Sequence, residues 1–224
     1  MIKIAITGAK GRVGSVLVNG LDKTKFEIVL VDLPEHDATK INDLRKVLKG
    51  CEAIVHCAWK ELRWKEEVFA PEDTLMTFNI YKVAKELGIK KVIMTSSNHA
   101  NRYDNTNKSG KLTVDIAPIP DSVYGATKIF MESLGRYYSK TGLQVVCARI
   151  GNLNDQDKPR PLSEENPQRW LSHHDWISLV ETILEKTIPD SFVVLNAVSK
   201  NRKQIFDWSN PLGWEPQDRV EENL

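Results

Sequence analysis

The chain predicts an α/β protein: a doubly wound, mostly parallel sheet with helices on both faces. Three observations predict it. Six runs of strand length, rich in valine and isoleucine, alternate with stretches of helical pattern. Those runs are apolar almost throughout instead of alternating, as strands covered on both faces require. A glycine-spaced turn joins the first run to the first helical stretch.

In order, IKIAIT (2–7) is the first strand and 12–21 the first helix. FEIVLVD (26–32) leads to a helix over 41–49, and EAIVHCA (52–58) to one over 72–88. KKVIMTS (90–96) precedes a helix over 122–141, where Ile129, Phe130, Leu134 and Tyr137 recur close to the helical period. LQVVCARI (143–150), a helix over 174–186 and SFVVLN (191–196) complete the alternation. Three segments interrupt it: 59–73 is charged and aromatic, 98–121 polar, and 152–172 rich in proline and asparagine. Each follows the C-terminal end of a strand, the edge where open α/β sheets take their ligands. They are expected to be binding loops, a small substrate region carried by one domain over 1–224.

A chain of 224 residues suits one large domain, and 31 basic against 30 acidic residues leave a net charge of +1. That balance gives no reason to expect a nucleic acid or an anionic membrane as partner. No apolar run reaches bilayer length, and MIKIAITGAKG enters a strand without a signal-like apolar region, so a cytoplasmic location is expected. Cys51, Cys57 and Cys147 form no CxxC pair and sit in or beside apolar runs, which reads as buried free thiols with no metal.

The turn ITGAKGRVG spaces Gly8, Gly11 and Gly14 between a strand and a helix, with Lys10, Arg12 and Val13 among them. Small residues there let backbone amides close on a pyrophosphate at the positive end of the helix. Asp32 ends the second strand, where a carboxylate can accept hydrogen bonds from a ribose diol and repel a 2′-phosphate. That favours NAD over NADP, although Lys10 and Arg12 offer charge to such a phosphate.

Further on, SVYGATK sets Tyr124 and Lys128 on one face of a helix, a turn apart. A free tyrosine titrates near about pH 10 and is a poor base at neutrality. A neighbouring ammonium favours the phenolate, as would an oxidised nicotinamide, so the pair is expected to make Tyr124 a usable acid/base. Ser97, at the end of the fourth strand, can hydrogen-bond a substrate oxygen beside the phenol.

With TGAKGRVG, VD at 31–32, IVHCA at 54–58, TSSNH at 95–99, YGATK at 124–128 and LGWEP at 212–216, the chain resembles the extended short-chain dehydrogenases/reductases of the NAD-dependent epimerase/dehydratase type. SSNHA, ARIGN and RWLSHHDWISLVE are similar to the uronate dehydrogenase branch. The resemblance implies a Rossmann-type domain and NAD-linked oxidation of a hexuronic acid at its anomeric carbon to a lactone. It makes Tyr124 the base, Lys128 its electrostatic partner and ribose contact, and Ser97 a ligand for the substrate oxygen. It makes Asn98, His99 and Asn152 substrate contacts, with Arg160 clamping the sugar carboxylate. Asp37 would lie near the adenine, and Ala58 would line the cofactor cleft. The helices at 72–88 and 122–141 resemble those that pair in dimers of this superfamily. Glu61 and Asn152 stand where the branch carries serines, and Asp73 where an asparagine is common.

Other features have plainer readings. His173, His174 and Asp175 mark a helix start, with Asp175 as its cap, and His56 reads as a satisfied core histidine. Trp59, Trp64 and Trp170 can stack on a sugar, pack a lid or meet a second copy. Competing functions are a dehydrogenase of other sugar or sugar-phosphate specificity, an epimerase or dehydratase of nucleotide-linked sugars, and a non-catalytic dinucleotide sensor. The intact Tyr124 and Lys128 count against the last.

Overall fold

The computed structural model describes residues 1–60, 67–160, 169–202 and 205–220. The strands are β1 (Ile2–Thr7), β2 (Phe26–Val31), β3 (Ala53–His56), β4 (Lys91–Ser97), β5 (Gln144–Ile150) and β6 (Phe192–Ala197). They form one six-stranded sheet in the order β2-β1-β3-β4-β5-β6. Every pairing in it is parallel. The helices are α1 (Arg12–Gly20), α2 (Ile41–Val47), α3 (Pro71–Glu86), α4 (Val123–Ser139) and α5 (His173–Glu185). All expected strands and helices are present, with ends trimmed by at most two residues or extended by one.

Alternation within each strand now has a visible purpose. Ile4, Ile6, Val55 and Ile93 face one way and pack with Leu17, Trp176 and Leu179 of α1 and α5. Ala5, Ile54, Val92 and Val145 face the other way and pack with Leu44, Ile80, Tyr81 and Met131 of α2, α3 and α4. Both faces are covered, so both sets of side chains are apolar, and each fully buried aliphatic contributes about 1.5–3 kcal/mol. From β1 the chain passes to β2 on one side, while β3 lies on the other. The connections diverge there and leave a crevice at the C-terminal edge of the sheet.

Two polar devices hold helices at that edge. Arg149 of β5 grips Glu132 of α4 through two hydrogen bonds, at 2.9 and 2.8 Å, and Ser96 of β4 donates to the same carboxylate at 2.6 Å. All three are buried. At α5, the cap is Ser172, whose hydroxyl accepts from the Asp175 amide at 3.0 Å. Asp175 is therefore not the cap. Its carboxylate, fully buried, accepts from Ser199 Oγ at 2.6 Å and from the Gln217 amide at 2.7 Å, tying the chain after β6 to the helix. That later segment also bridges Leu112 through Phe206, so it braces the loop that follows β4.

Candidate active site

The turn after β1 is built by close approach. Gly8 has φ of 64°, and a Cβ there would stand 2.6 Å from the Ala58 nitrogen. A Cβ on Gly14 would strike the Gly8 carbonyl oxygen. Gly11, the N-cap of α1, donates to Gly8 O at 3.0 Å and supplies no side-chain cap. The first amides of α1 are thus left to an anion. Val13 lies in this first turn, its carbonyl accepting from Trp176 Nε1 at 3.3 Å. Between this turn, the ends of β2 and β3 and the start of α3 lies a cleft of about 590 Å³, lined by Gly8, Lys10, Gly11, Asp32, Asp37 and Ala58. Asp32 accepts from the amides of Lys10 at 2.7 Å and Leu33 at 2.8 Å, one on each oxygen, leaving a lone pair on each. Lys10 pairs with Glu35 at 2.6 Å and Arg12 with Asp155 at 3.1 Å. Asp37 closes a turn by accepting from the Thr39 amide and hydroxyl at 2.9 and 2.7 Å. The glycine cradle, the uncapped helix start and the spare lone pairs of Asp32 fit a dinucleotide with a free ribose diol.

Trp59, which lines the cleft, joins it to Tyr124 and Lys128, with Ser97 close by. Ser97 ends β4, its hydroxyl accepting from the His99 amide at 3.2 Å and lying near enough to the Tyr124 phenol to hold its pKa down. Tyr124 stands in the first turn of α4, where Ser122 caps the helix by accepting from the Gly125 amide at 3.1 Å. Lys128 follows on the same face; its buried Nζ donates to the Thr95 carbonyl at 2.9 Å. The ammonium lies 3.8 Å from the Trp59 ring centre and 5.4 Å from that of Tyr124. Trp59 in turn meets Tyr124 edge to face at 5.3 Å.

Burial governs the electrostatics of this group. It raises the Tyr124 phenol to about 12, with the nearby Ser97 hydroxyl pulling the other way and the charges of Asp73 and Asp121 adding a little. It pulls Lys128 down to about 7, opposed by Asp73. The expected lowering of the phenol by Lys128 is therefore absent in the protein alone: dehydration dominates, and the lysine Nζ lies over Trp59. Asp73 is itself buried and raised by that burial, its Oδ1 accepting from the Lys60 amide at 2.8 Å.

On the substrate side, Asn98 opens a short 3₁₀ turn, Asn98–Ala100, and its buried Nδ2 has no partner among the described residues. His99 Nδ1 lies 2.7 Å from Asp121 Oδ2, and its ring meets Tyr124 edge to face at 5.8 Å. Asn152 stands just past β5, its Nδ2 likewise buried without a partner among the described residues. Arg160 is exposed on the loop that follows. Glu61 and Trp64 lie outside the described residues. Trp170 is buried, which removes it from any exposed lid.

His56 is only half satisfied: Nδ1 lies 2.7 Å from Thr7 Oγ1, while buried Nε2 has no partner among the described residues. Its burial holds it near 3, hence neutral. Among the described residues, His174, Asp175 and Asp218 lie close enough to hold a metal. The oxygens of Asp175 already serve Ser199 and Gln217. Trp59, an aromatic at the exit of β3, carried a signal in the sequence, whereas Asp121, the partner of His99 22 positions away, carried none.

The model of the NAD dependent epimerase/dehydratase family matches residues 4–172. Uronate dehydrogenase from Agrobacterium fabrum is 28% identical over 237 residues, covering 99% of this chain and 86% of the relative. L-arabinose 1-dehydrogenase (NAD(P)(+)) from Haloferax volcanii is 28% identical over 254 residues, covering 97% of each. A solved structure of a mutant uronate dehydrogenase from Agrobacterium tumefaciens, complexed with NAD, superposes with a TM-score of 0.82 at 27% identity, over 98% of this chain and 86% of that one. A match running from β1 to the cap of α5 covers well over half of the sequence, and the chain belongs to the NAD dependent epimerase/dehydratase family.

Proposed function

We propose that the protein is an NAD-dependent sugar oxidoreductase that oxidises the anomeric C–OH of a hexuronic acid or related sugar to a lactone. The observation that carries this reading is the Tyr124 phenol, beside Ser97 and one turn from Lys128, in edge-to-face contact with Trp59, which lines the glycine-cradled cleft. The named activities of the two relatives, a uronate and an arabinose 1-dehydrogenase, support it. NAD, when bound, supplies the hydride acceptor and a positive ring. Gly8, Gly11, Gly14 and the amides around Lys10, Arg12 and Val13 would hold its pyrophosphate, Asp32 a ribose diol, and Asp37 and Ala58 the walls. The ion pairs of Lys10 and Arg12 support NAD over NADP, because neither cation is left waiting for a phosphate.

In this reading Ser97 holds the reacting hydroxyl and Tyr124 accepts its proton. Lys128 lies against the ribose and lends positive charge, most fully below its pKa of about 7. Asn98, His99 and Asn152 line the sugar. An arginine of the loop after β5 takes the carboxylate, and Arg160 is the one the resemblance assigns. The described residues would act as one catalytic unit, in the cytoplasm, where Cys51, Cys57 and Cys147 stay as free thiols.

The test mixes the protein with NAD and galacturonate, glucuronate, galactose, arabinose or hexose phosphates and follows NADH absorbance. A uronate is expected to give the fastest turnover. Silence across the panel would sink the dehydrogenase reading, and tightly held NAD alongside it would favour an epimerase.

A further inference from the structure

Several donors without acceptors gather at one corner of the sheet edge. Ser97 and Ile150 are partners in register, so Asn98 and Asn152 leave neighbouring strands at the same level. The Asn152 amide donates to the Arg169 carbonyl at 2.6 Å, which places Arg169 beside the exit of β5. The Arg169 guanidinium lies over the Tyr103 ring, 5.3 Å from its centre. Tyr103 follows the 3₁₀ turn and packs edge-on against Phe206. Here Asn98 Nδ2, Asn101 Nδ2, Asn152 Nδ2, Tyr103 Oη and Arg169 Nη1 are all buried with no partner among the described residues.

The assignment of Asn101 is fixed by its other atom, because Oδ1 accepts from Asn105 Nδ2 at 2.6 Å and the Ile119 amide at 3.0 Å. A buried donor left without a partner is destabilising, so a cluster of them points to a missing acceptor-rich molecule. Arg169 sharpens the identity of that molecule. Burial pulls its pKa below the ordinary arginine range, with no acidic group among the described residues contributing. No described carboxylate pairs with it, and a half-buried guanidinium without counter-charge is costly. Its place over the Tyr103 ring leaves the fork's donors for a two-oxygen anion, which a planar guanidinium can take bidentately.

We propose that Arg169, laid over Tyr103, anchors the anionic substituent of the sugar, a carboxylate, while the amides of Asn98 and Asn152 hold ring oxygens between it and Tyr124. This rests on the sugar-oxidoreductase reading and moves the charge contact from exposed Arg160 to Arg169. It makes Arg169 the residue that selects a uronate over the neutral hexose of the same ring.

Calorimetric titration of galacturonate and of galactose into the wild-type protein saturated with NADH, where no sugar can turn over, tests the anchor. In Arg169→Gln, galacturonate is expected to bind at least tenfold more weakly, with galactose and NADH within twofold of wild type. Arg160→Gln is expected to change galacturonate binding by less than threefold. Galacturonate affinity unchanged in Arg169→Gln, an equal loss for both sugars, a tenfold loss on Arg160→Gln alone, or no galacturonate binding by the wild type would each overturn the proposal. Should Arg169→Gln fail to bind NADH, Arg169→Lys decides: a loss confined to galacturonate supports the anchor, and wild-type affinity overturns it. The turnover assay is separate, so a protein that binds galacturonate through Arg169 yet forms no NADH would retain the anchor and lose the oxidoreductase.

Discussion

Tyr124 and Lys128 share a helix face because four residues make about one turn, and that much follows from spacing alone. What spacing does not reveal is the third partner. Trp59, brought in from the end of β3, takes the ammonium against its ring and leaves the phenol to Ser97. Burial then sets both pKa values, about 12 for the phenol and about 7 for the lysine. Two outcomes follow at this scale. Tyr124→Phe is expected to lower turnover at least a thousandfold while NAD affinity, measured by fluorescence titration, stays within a few-fold. Retained activity would mean another group takes the proton. The second concerns stability. A lysine at about 7 when folded, against an ordinary 10.5, holds fewer protons folded than unfolded between those limits. Its contribution to stability therefore rises with pH across that window, by up to about 1.4 kcal/mol per unit. Urea unfolding of wild type and Lys128→Met should show the wild type gaining on the variant from pH 7.5 to 9. A constant difference would contradict the low lysine pKa.

At the scale of elements, the six apolar runs were readable because the inner strands are covered on both faces, which favours apolar residues at most of their positions. Strand ends were less readable. The third run ends at His56 as a strand, although Cys57 and Ala58 continue its pattern, because there the chain turns to wall the cleft. Helix α4 shows a deeper limit. The apolar stripe that announces it includes Phe130 and Tyr137, which are exposed, whereas the packed face carries Lys128, Glu132 and Gly135. Small and charged residues on a buried face leave no hydrophobic signature. That face is held by the Arg149–Glu132–Ser96 network, which fixes the helix bearing Tyr124. Arg149→Met alone should cost about 3–5 kcal/mol, since it strands a buried carboxylate. A combined Glu132→Leu and Arg149→Met change should recover most of that loss in chemical denaturation. Equal losses for the single and double variants would show that the pair does not act as a unit.

For the whole molecule, net charge and composition exclude partners better than they identify one. The surface adds what they omit. Helices α3 and α4 pack side by side through Tyr81, which stacks on Tyr138 with ring centres 5.6 Å apart. Their outward sides carry Leu75, Phe78, Phe130 and Tyr137, all exposed, and the last is 64% accessible. Large apolar side chains grouped on adjacent helices favour burial against another surface. A second copy offering the same two helices is self-complementary, as a two-fold interface demands. We infer a homodimer on this face, in keeping with the helices the sequence singled out. Light scattering of the wild type should return twice the mass of the chain at micromolar concentration. Phe78→Glu with Phe130→Glu should return the monomer mass and keep NAD binding, because neither residue lines the cleft. A monomeric wild type would remove the interface, and a double variant that stays dimeric would move it to another face.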